Sequence, residues 1–385
     1  MALNVVSSDR LSTNVKTSNL ATGLSSKVGE SKNLVINGNF QIAQRGTTAN
    51  TSGYKTVDRF NIGSTGMDEV PTQAQVALTS SDTGPWAKGF RYALQVTNGN
   101  QTSGAGAGDN IYIYHYIEAQ DIANSGWDYT NSSSKLTLSF WVKSSVAQNF
   151  YGFVKTMDGT AQLLSFETTA LSANTWKKVT LSIPGHANLQ FDTNAEAGFQ
   201  IAFSPFFGTD YTTSGKTLNA WAAYSGSDRM PDFTSTWFTT NDATFALTGI
   251  QLEVGDTATE FEHRSFGDEL ARCQRYFYMR ADGSVSTSAA IAEGRFMTGS
   301  EVDFMTFFPV TMRTTPSIYQ VTGADYFAIK ASGYNQNVDG NWTLQWAQAN
   351  GTSHYATPDA TGTTNMPAQI ILMNSAARLG YSAEL

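Results

Sequence analysis

The chain has 385 residues, 41% hydrophobic and 12% aromatic, enough apolar material for the cores of two or three domains and too much for global disorder. Only 15% is charged, the formal net charge is −8 and no basic run occurs, which argues against nucleic acid as the main partner. One cysteine excludes an intrachain disulfide framework and a cysteine-based zinc site, and no apolar stretch approaches the ~18 residues that span a bilayer, so membrane insertion is not expected.

In chain order, the start MALNVVSSDR lacks the basic and apolar regions of a signal peptide, so synthesis in a cytoplasm is expected. Residues 1–32 are poor in aromatics and rich in Ser, Thr, Asn and Lys. Leu11, Val15, Leu20, Leu24 and Val28 recur at a spacing near four, which suits an arm that is ordered by docking on a partner. From Asn33 the texture changes. NLVINGNFQIAQRG alternates around Asn37–Gly38, a hairpin signal, and YKTVDRFNIG reads as a second short strand. FRYALQVT, IYIYHYIEA, KLTLSFWVKSS, NFYGFVKT, WKKVTLSIP, FQIAFSPFF and ATFALTGIQLEV follow, mostly with the period-two alternation of half-buried antiparallel strands. Turn residues between them point to a sandwich or jelly roll over 33–265.

Residues 266–276 break the pattern. Asp268 and Glu269 precede Arg272 and Arg275, an order that suits the helix dipole, and Leu270, Cys273 and Phe277 fall at i, i+3 and i+7 on one stripe. A short helical connector is expected, with Cys273 as a small buried hydrophobe rather than a nucleophile. Its stripe is a candidate for a threefold subunit contact. Residues 277–385 return to strands: GRFMTGSEVDFMTFFPV, SIYQVTG, YFAIKAS, NWTLQWAQAN and AQIILMNSAARL. The expected class is all-β: a jelly-roll β-sandwich plus a C-terminal β domain, joined by a short helix and preceded by an N-terminal docking arm.

Catalytic and metal chemistry is thinly supplied. His115, His186, His263 and His354 are far apart and form no HxH or HExxH pair, and no GxSxG elbow is present. The glycine run in NGNQTSGAGAGDN precedes a strand, not a helix, so a dinucleotide loop is not indicated. Glycan hydrolysis needs two suitably spaced carboxylates. Glu118, Asp121, Glu301 and Asp303 are the candidates, and solvated surface acids explain them equally well. Glycan binding suits the residue supply better, because aromatic faces stack on sugar rings and neutral amides and hydroxyls satisfy sugar hydroxyls. Tyr112, Tyr114 and Tyr116 share one strand face, where a core or a subunit interface is the competing reading. Trp342 and Trp346, four apart, and Tyr355 form a second aromatic cluster among Asn, Gln and Ser.

Several stretches together carry a family resemblance: NLVINGNFQIAQRGTT, YKTVDRFNI, LTLSFWVKSS, TGIQLEVGDTATEFEHRSFGDELARCQRYF, FFPVTMRTTPSI and the terminal SAEL. In this order they resemble tail fibre and receptor-binding proteins of tailed bacteriophages. The resemblance implies a jelly roll of the galactose-binding, carbohydrate-binding-module type. It also implies a homotrimer on the virion tail, an arm docked on other tail proteins, and a host-facing C-terminal domain that recognises a surface glycan or receptor. Related jelly rolls often hold a structural calcium. The matching positions here, Asn39, Gln41 and Gln251, are neutral amides, with only Glu253 and Asp256 as nearby acids, so no cofactor is expected. A non-enzymatic adhesin is the expected function; a polysaccharide depolymerase and a purely structural virion component remain open.

Overall fold

The computed structural model describes residues 32–331, 334–359 and 361–385. The expected arm, apart from Lys32, lies outside the described residues.

Residues 32–265 build a sandwich of two antiparallel sheets. Its strands are β1 (Thr48–Ala49), β2 (Asn61–Thr65), β3 (Thr72–Ala77), β4 (Tyr92–Thr97), β5 (Asn110–Glu118) and β6 (Lys135–Ser144). They continue with β7 (Tyr151–Thr156), β8 (Gln162–Glu167), β9 (Lys177–Pro184), β10 (Ala197–Phe207), β11 (Trp221–Ala223) and β12 (Thr244–Val254). One sheet runs β1-β3-β4-β12-β6-β9, the other β11-β8-β7-β10-β5-β2. Most neighbours are not consecutive in sequence, so the chain crosses repeatedly between sheets, as a jelly roll does. Phe140 of β6 meets Phe203 of β10 edge to face at 4.8 Å, and Phe166 of β8 completes the cluster between the layers. Two short helices, α1 (Ala119–Ala123) and α2 (Thr236–Thr239), pack against β10.

The expected hairpin at Asn37–Gly38 does not form. Asn37 takes φ 62°, and its side-chain amide donates to the carbonyls of Ile42 and Asp58, both at 2.9 Å, while its Oδ1 accepts from Ile42 N at 3.0 Å. The amide thus fills the role a strand ladder would have had. The loop still buries Val35, Phe40 and Ile42 alternately, which is why it reads as a strand in sequence. Similarly, only Asn61, Ile62 and Gly63 of the YKTVDRFNIG stretch pair, as the start of β2, because Arg59 sits at φ 72° and its buried side chain turns toward the domain joint.

The second β domain contains β13 (Phe277–Asp282), β14 (Ala289–Phe296), β15 (Val302–Phe307), β16 (Ser317–Val321) and β17 (Phe327–Ala331). It ends with β18 (Tyr334–Val338), β19 (Thr343–Gln348), β20 (Gly351–Ala356), β21 (Pro367–Leu372) and β22 (Arg378–Ser382). A three-stranded sheet, β13-β22-β16, packs with a seven-stranded one, β18-β17-β21-β14-β15-β20-β19, over a core that includes Phe304, Phe327, Ile370 and Leu379.

Between the domains lies helix α3 (Phe266–Gln274), capped by Ser265, whose Oγ accepts from Asp268 N at 3.2 Å. The helix points Glu269 and Cys273 inward. Glu269 accepts from Asn37 N and pairs with Arg264 at 3.3 Å. Cys273 and Phe277 are fully buried within their own chain, and Leu270 is half-buried. Two of the three residues of the expected subunit stripe, Cys273 and Phe277, are therefore covered by this chain itself, and Leu270 stays partly open. Burial and the nearby carboxylates of Asp58 and Glu269 push the Cys273 thiol well up, away from thiolate chemistry.

No strand pairing crosses the joint among the described residues; side chains join the domains instead. Glu384, beyond β22, reaches back into the sandwich to pair with Arg59 and, at 3.3 Å, with Arg45. Arg45 lies over the Phe277 ring at 3.5 Å and Arg59 over Tyr276 at 3.4 Å. Arg275 grips Glu118 with two bonds of 2.7 and 2.8 Å, and the Tyr276 hydroxyl donates to the same carboxylate at 2.5 Å.

Candidate functional site

The tyrosine ladder is set by strand parity. Along β5, Ile111, Ile113, His115 and Ile117 point into the sandwich, so Tyr112, Tyr114 and Tyr116 project from its outer face, each half-buried. Tyr112 and Tyr114 stack at 5.0 Å; Tyr114 and Tyr116 meet edge to face at 5.3 Å. Neighbouring strands give the rings room. Gly63 of β2 lies opposite Tyr112, and Ala202 of β10 lies opposite Tyr114. A Cβ on Gly63 would stand 2.4 Å from the Tyr112 ring, so the glycine lets that ring lie over the strand. Gln200 lies opposite Tyr116 and donates to its hydroxyl at 3.3 Å. Burial holds all three phenols above the ordinary tyrosine range, which keeps them neutral donors.

The segment after β10 completes the face. It brings Tyr211, Tyr224 and Arg229 beside the ladder, and Lys155 enters from β7. Asn61, Asn110, Tyr112, Tyr211 and Arg229 line a cleft of about 490 Å³. Sequence alternation made the three tyrosines of β5 visible, whereas Tyr211, Tyr224, Arg229 and Lys155 carry no local signal. They meet the ladder only through sheet order and a segment about 90 or more residues further along.

The second aromatic cluster separates. Trp342 is 1% exposed and packs edge to face on Phe304 at 4.9 Å, so it is a core residue and not a glycan contact. Trp346 is 69% exposed. The register explains the split: β19 pairs Leu344 with His354 but Ala347 with Thr352, so one extra residue bulges between them and changes the parity beyond it. Tyr355 is half-buried on β20, opposite both Asp303 and Thr343. Trp346 and Tyr355 thus lie in the second domain, on a different sheet from the ladder.

Two of the four candidate acids have structural ion-pair partners. Glu118 is held by Arg275 and Tyr276, and Asp303 pairs with Arg295 at 3.3 Å. Among the described residues, no group of three or more His, Cys, Asp or Glu is arranged to hold a metal. Where related jelly rolls place calcium, the Gln251 amide donates to Glu253 at 2.8 Å, and Thr259 donates from N and Oγ1 at 2.9 and 2.7 Å. Amide and hydroxyl donors already occupy the one carboxylate, so this donor set does not fit calcium. His115 and His354 are buried and held well below the ordinary histidine range by desolvation, and His263 Nε2 donates to the Lys88 carbonyl at 2.8 Å.

No protein-family model and no curated protein matches this chain. Among solved structures, it is similar to the enzymatically active domain of tailspike protein 4 of bacteriophage CBA120, at 12% identity and a TM-score of 0.31, over 58% of this chain and 21% of that one. It is also similar to a xylan-binding domain from Paenibacillus barcinonensis, at 11% identity and a TM-score of 0.27, over 60% of this chain and 100% of that one. The N-terminal cellulose-binding domain of a Cellulomonas fimi β-1,4-glucanase gives 13% identity and a TM-score of 0.26, over 56% and 97%. The sandwich assignment rests on the strand order and pairing of the chain itself.

Proposed function

We propose that this chain is a receptor-binding component of a phage tail that attaches to a host-surface glycan through the face built on Tyr112, Tyr114 and Tyr116. The observation that carries the binding reading is the ladder itself: three phenols held outward, neutral and in mutual contact, beside amides that match sugar hydroxyls. The assignment to a phage tail rests on the ordered motif series in the sequence. The cleft is lined by amides, hydroxyls, phenols and one guanidinium. A hydrolase would need two carboxylates flanking the bond, and the lining supplies none, which supports binding without cleavage. Homotrimeric display, with attachment through residues 1–32, would multiply a modest site affinity through effective concentration.

The test is binding of the full chain to a glycan array and to host cells. Replacing Tyr114 with Ala is expected to weaken binding at least tenfold, about 1.4 kcal/mol, without lowering the unfolding midpoint appreciably. Unchanged binding by a folded Tyr112→Ala/Tyr114→Ala protein would remove this face from recognition. Release of reducing ends from the bound glycan would replace the adhesin with a hydrolase.

A further inference from the structure

The tyrosine face carries two cations that its own chain does not neutralise. Lys155 Nζ stands 4.1 Å from the centroid of Tyr224, and the Arg229 guanidinium carbon lies 5.8 Å from the same ring, 4.9 Å from Tyr211 and 5.6 Å from Phe207. Neither makes an ion pair with a carboxylate among the described residues. The nearby acids are engaged elsewhere: Asp228 pairs with Lys216 at 2.7 Å, and Asp232 accepts from Thr212 at 2.6 Å. Arg229 is also fixed in place. Its N–H donates to the Tyr211 carbonyl at 2.9 Å, its carbonyl accepts from Ser165 at 2.6 Å, and its buried Nε has no hydrogen-bond partner. Burial and the charge of Arg229 pull Lys155 below the ordinary lysine range. Two like charges gathered at the Tyr224 ring repel each other. An anion beside them would relieve that repulsion. The placement also runs against the sign of the molecule, whose net charge is −8.

From this geometry we propose that the glycan taken by the tyrosine face carries carboxylates, and that Arg229 and Lys155 receive one of them while the sugar rings lie along the ladder. This rests on the proposed glycan-binding role and narrows it to acidic sugars, of the uronate or sialate kind. Arg229 is suited to the contact, because the terminal nitrogens of its planar guanidinium form a fork that matches a carboxylate.

The experiment uses the full chain on an array that pairs carboxylate-bearing oligosaccharides with forms in which each carboxylate is reduced to the alcohol. The expected result is binding confined to the acidic members, weakened at least tenfold in Arg229→Gln and in Lys155→Gln, and weakened by added salt. Lys155→Gln keeps the test intact if the arginine variant fails to fold. Binding to the reduced forms that neither substitution changes would overturn the acidic assignment and leave the glycan-binding role standing. Absence of binding to every sugar would overturn both.

Discussion

His354 lies fully buried against Phe304, ring centroids 4.6 Å apart, and neither ring nitrogen finds a hydrogen-bond partner. Desolvation holds its pKa down to about 4, against 6.5 in water. As pH falls, the unfolded chain takes up this proton first. The stability present above about pH 6.5 is therefore lost as pH drops toward 4, by up to about 3 kcal/mol. Asp58, raised to about 6 by burial, acts in an overlapping window with the opposite sign: its contribution is full below pH 3.8 and lost as pH rises through 6. Comparison with a single variant separates the two. His354→Phe keeps the ring stack and removes the proton, so its urea midpoint should exceed that of the parent more at pH 4.5 than at pH 7. Equal differences at both pH values would contradict the burial of a neutral imidazole. At the ladder, Gly63→Val places a side chain where the Tyr112 ring now lies. It should weaken glycan binding severalfold, read by titration, while the fold survives.

At the level of elements, strand parity accounts for both success and failure in reading the sequence. The alternation IYIYHYIE sets the faces of β5, because β10 pairs along its length with the bulged residues on its own side, and β2 pairs with Asn110–Tyr114. In NWTLQWAQ the same rule misleads. One bulged residue between Leu344 and Ala347 sends Trp342 inward and leaves Trp346 in solvent, and nothing in the local sequence marks it. Asn37–Gly38 misleads for another reason: the Asn amide bonds the backbone of a buried loop where a two-residue turn was expected. The split between the two tryptophans is measurable. Trp342→Ala should cost about 3–5 kcal/mol, the range for a large aromatic removed from a core, and Trp346→Ala should stay within about 0.5 kcal/mol, both read as shifts in thermal or urea unfolding. Similar costs for the two would refute the bulge.

Across the whole molecule, four of the six stretches singled out in the sequence meet at one place. Arg45, Arg59, Glu269, Tyr276 and Glu384 come from four separated segments, and all line the joint between the domains. They form a buried charge network that fixes one domain on the other, with Arg59 also donating to the Tyr116 carbonyl at 2.7 Å beside the ladder. Removing one member strands the rest: Glu384→Gln should destabilise by about 3–5 kcal/mol. The binding face shows no such concentration in sequence, since its cations arrive from β7 and from the segment after β10. The most direct test of the binding role is titration of a glycan selected on host cells against the intact chain and a Tyr112→Ala/Tyr114→Ala variant of matched stability. Saturable binding lost in the variant is the expected result; equal binding by both would contradict it.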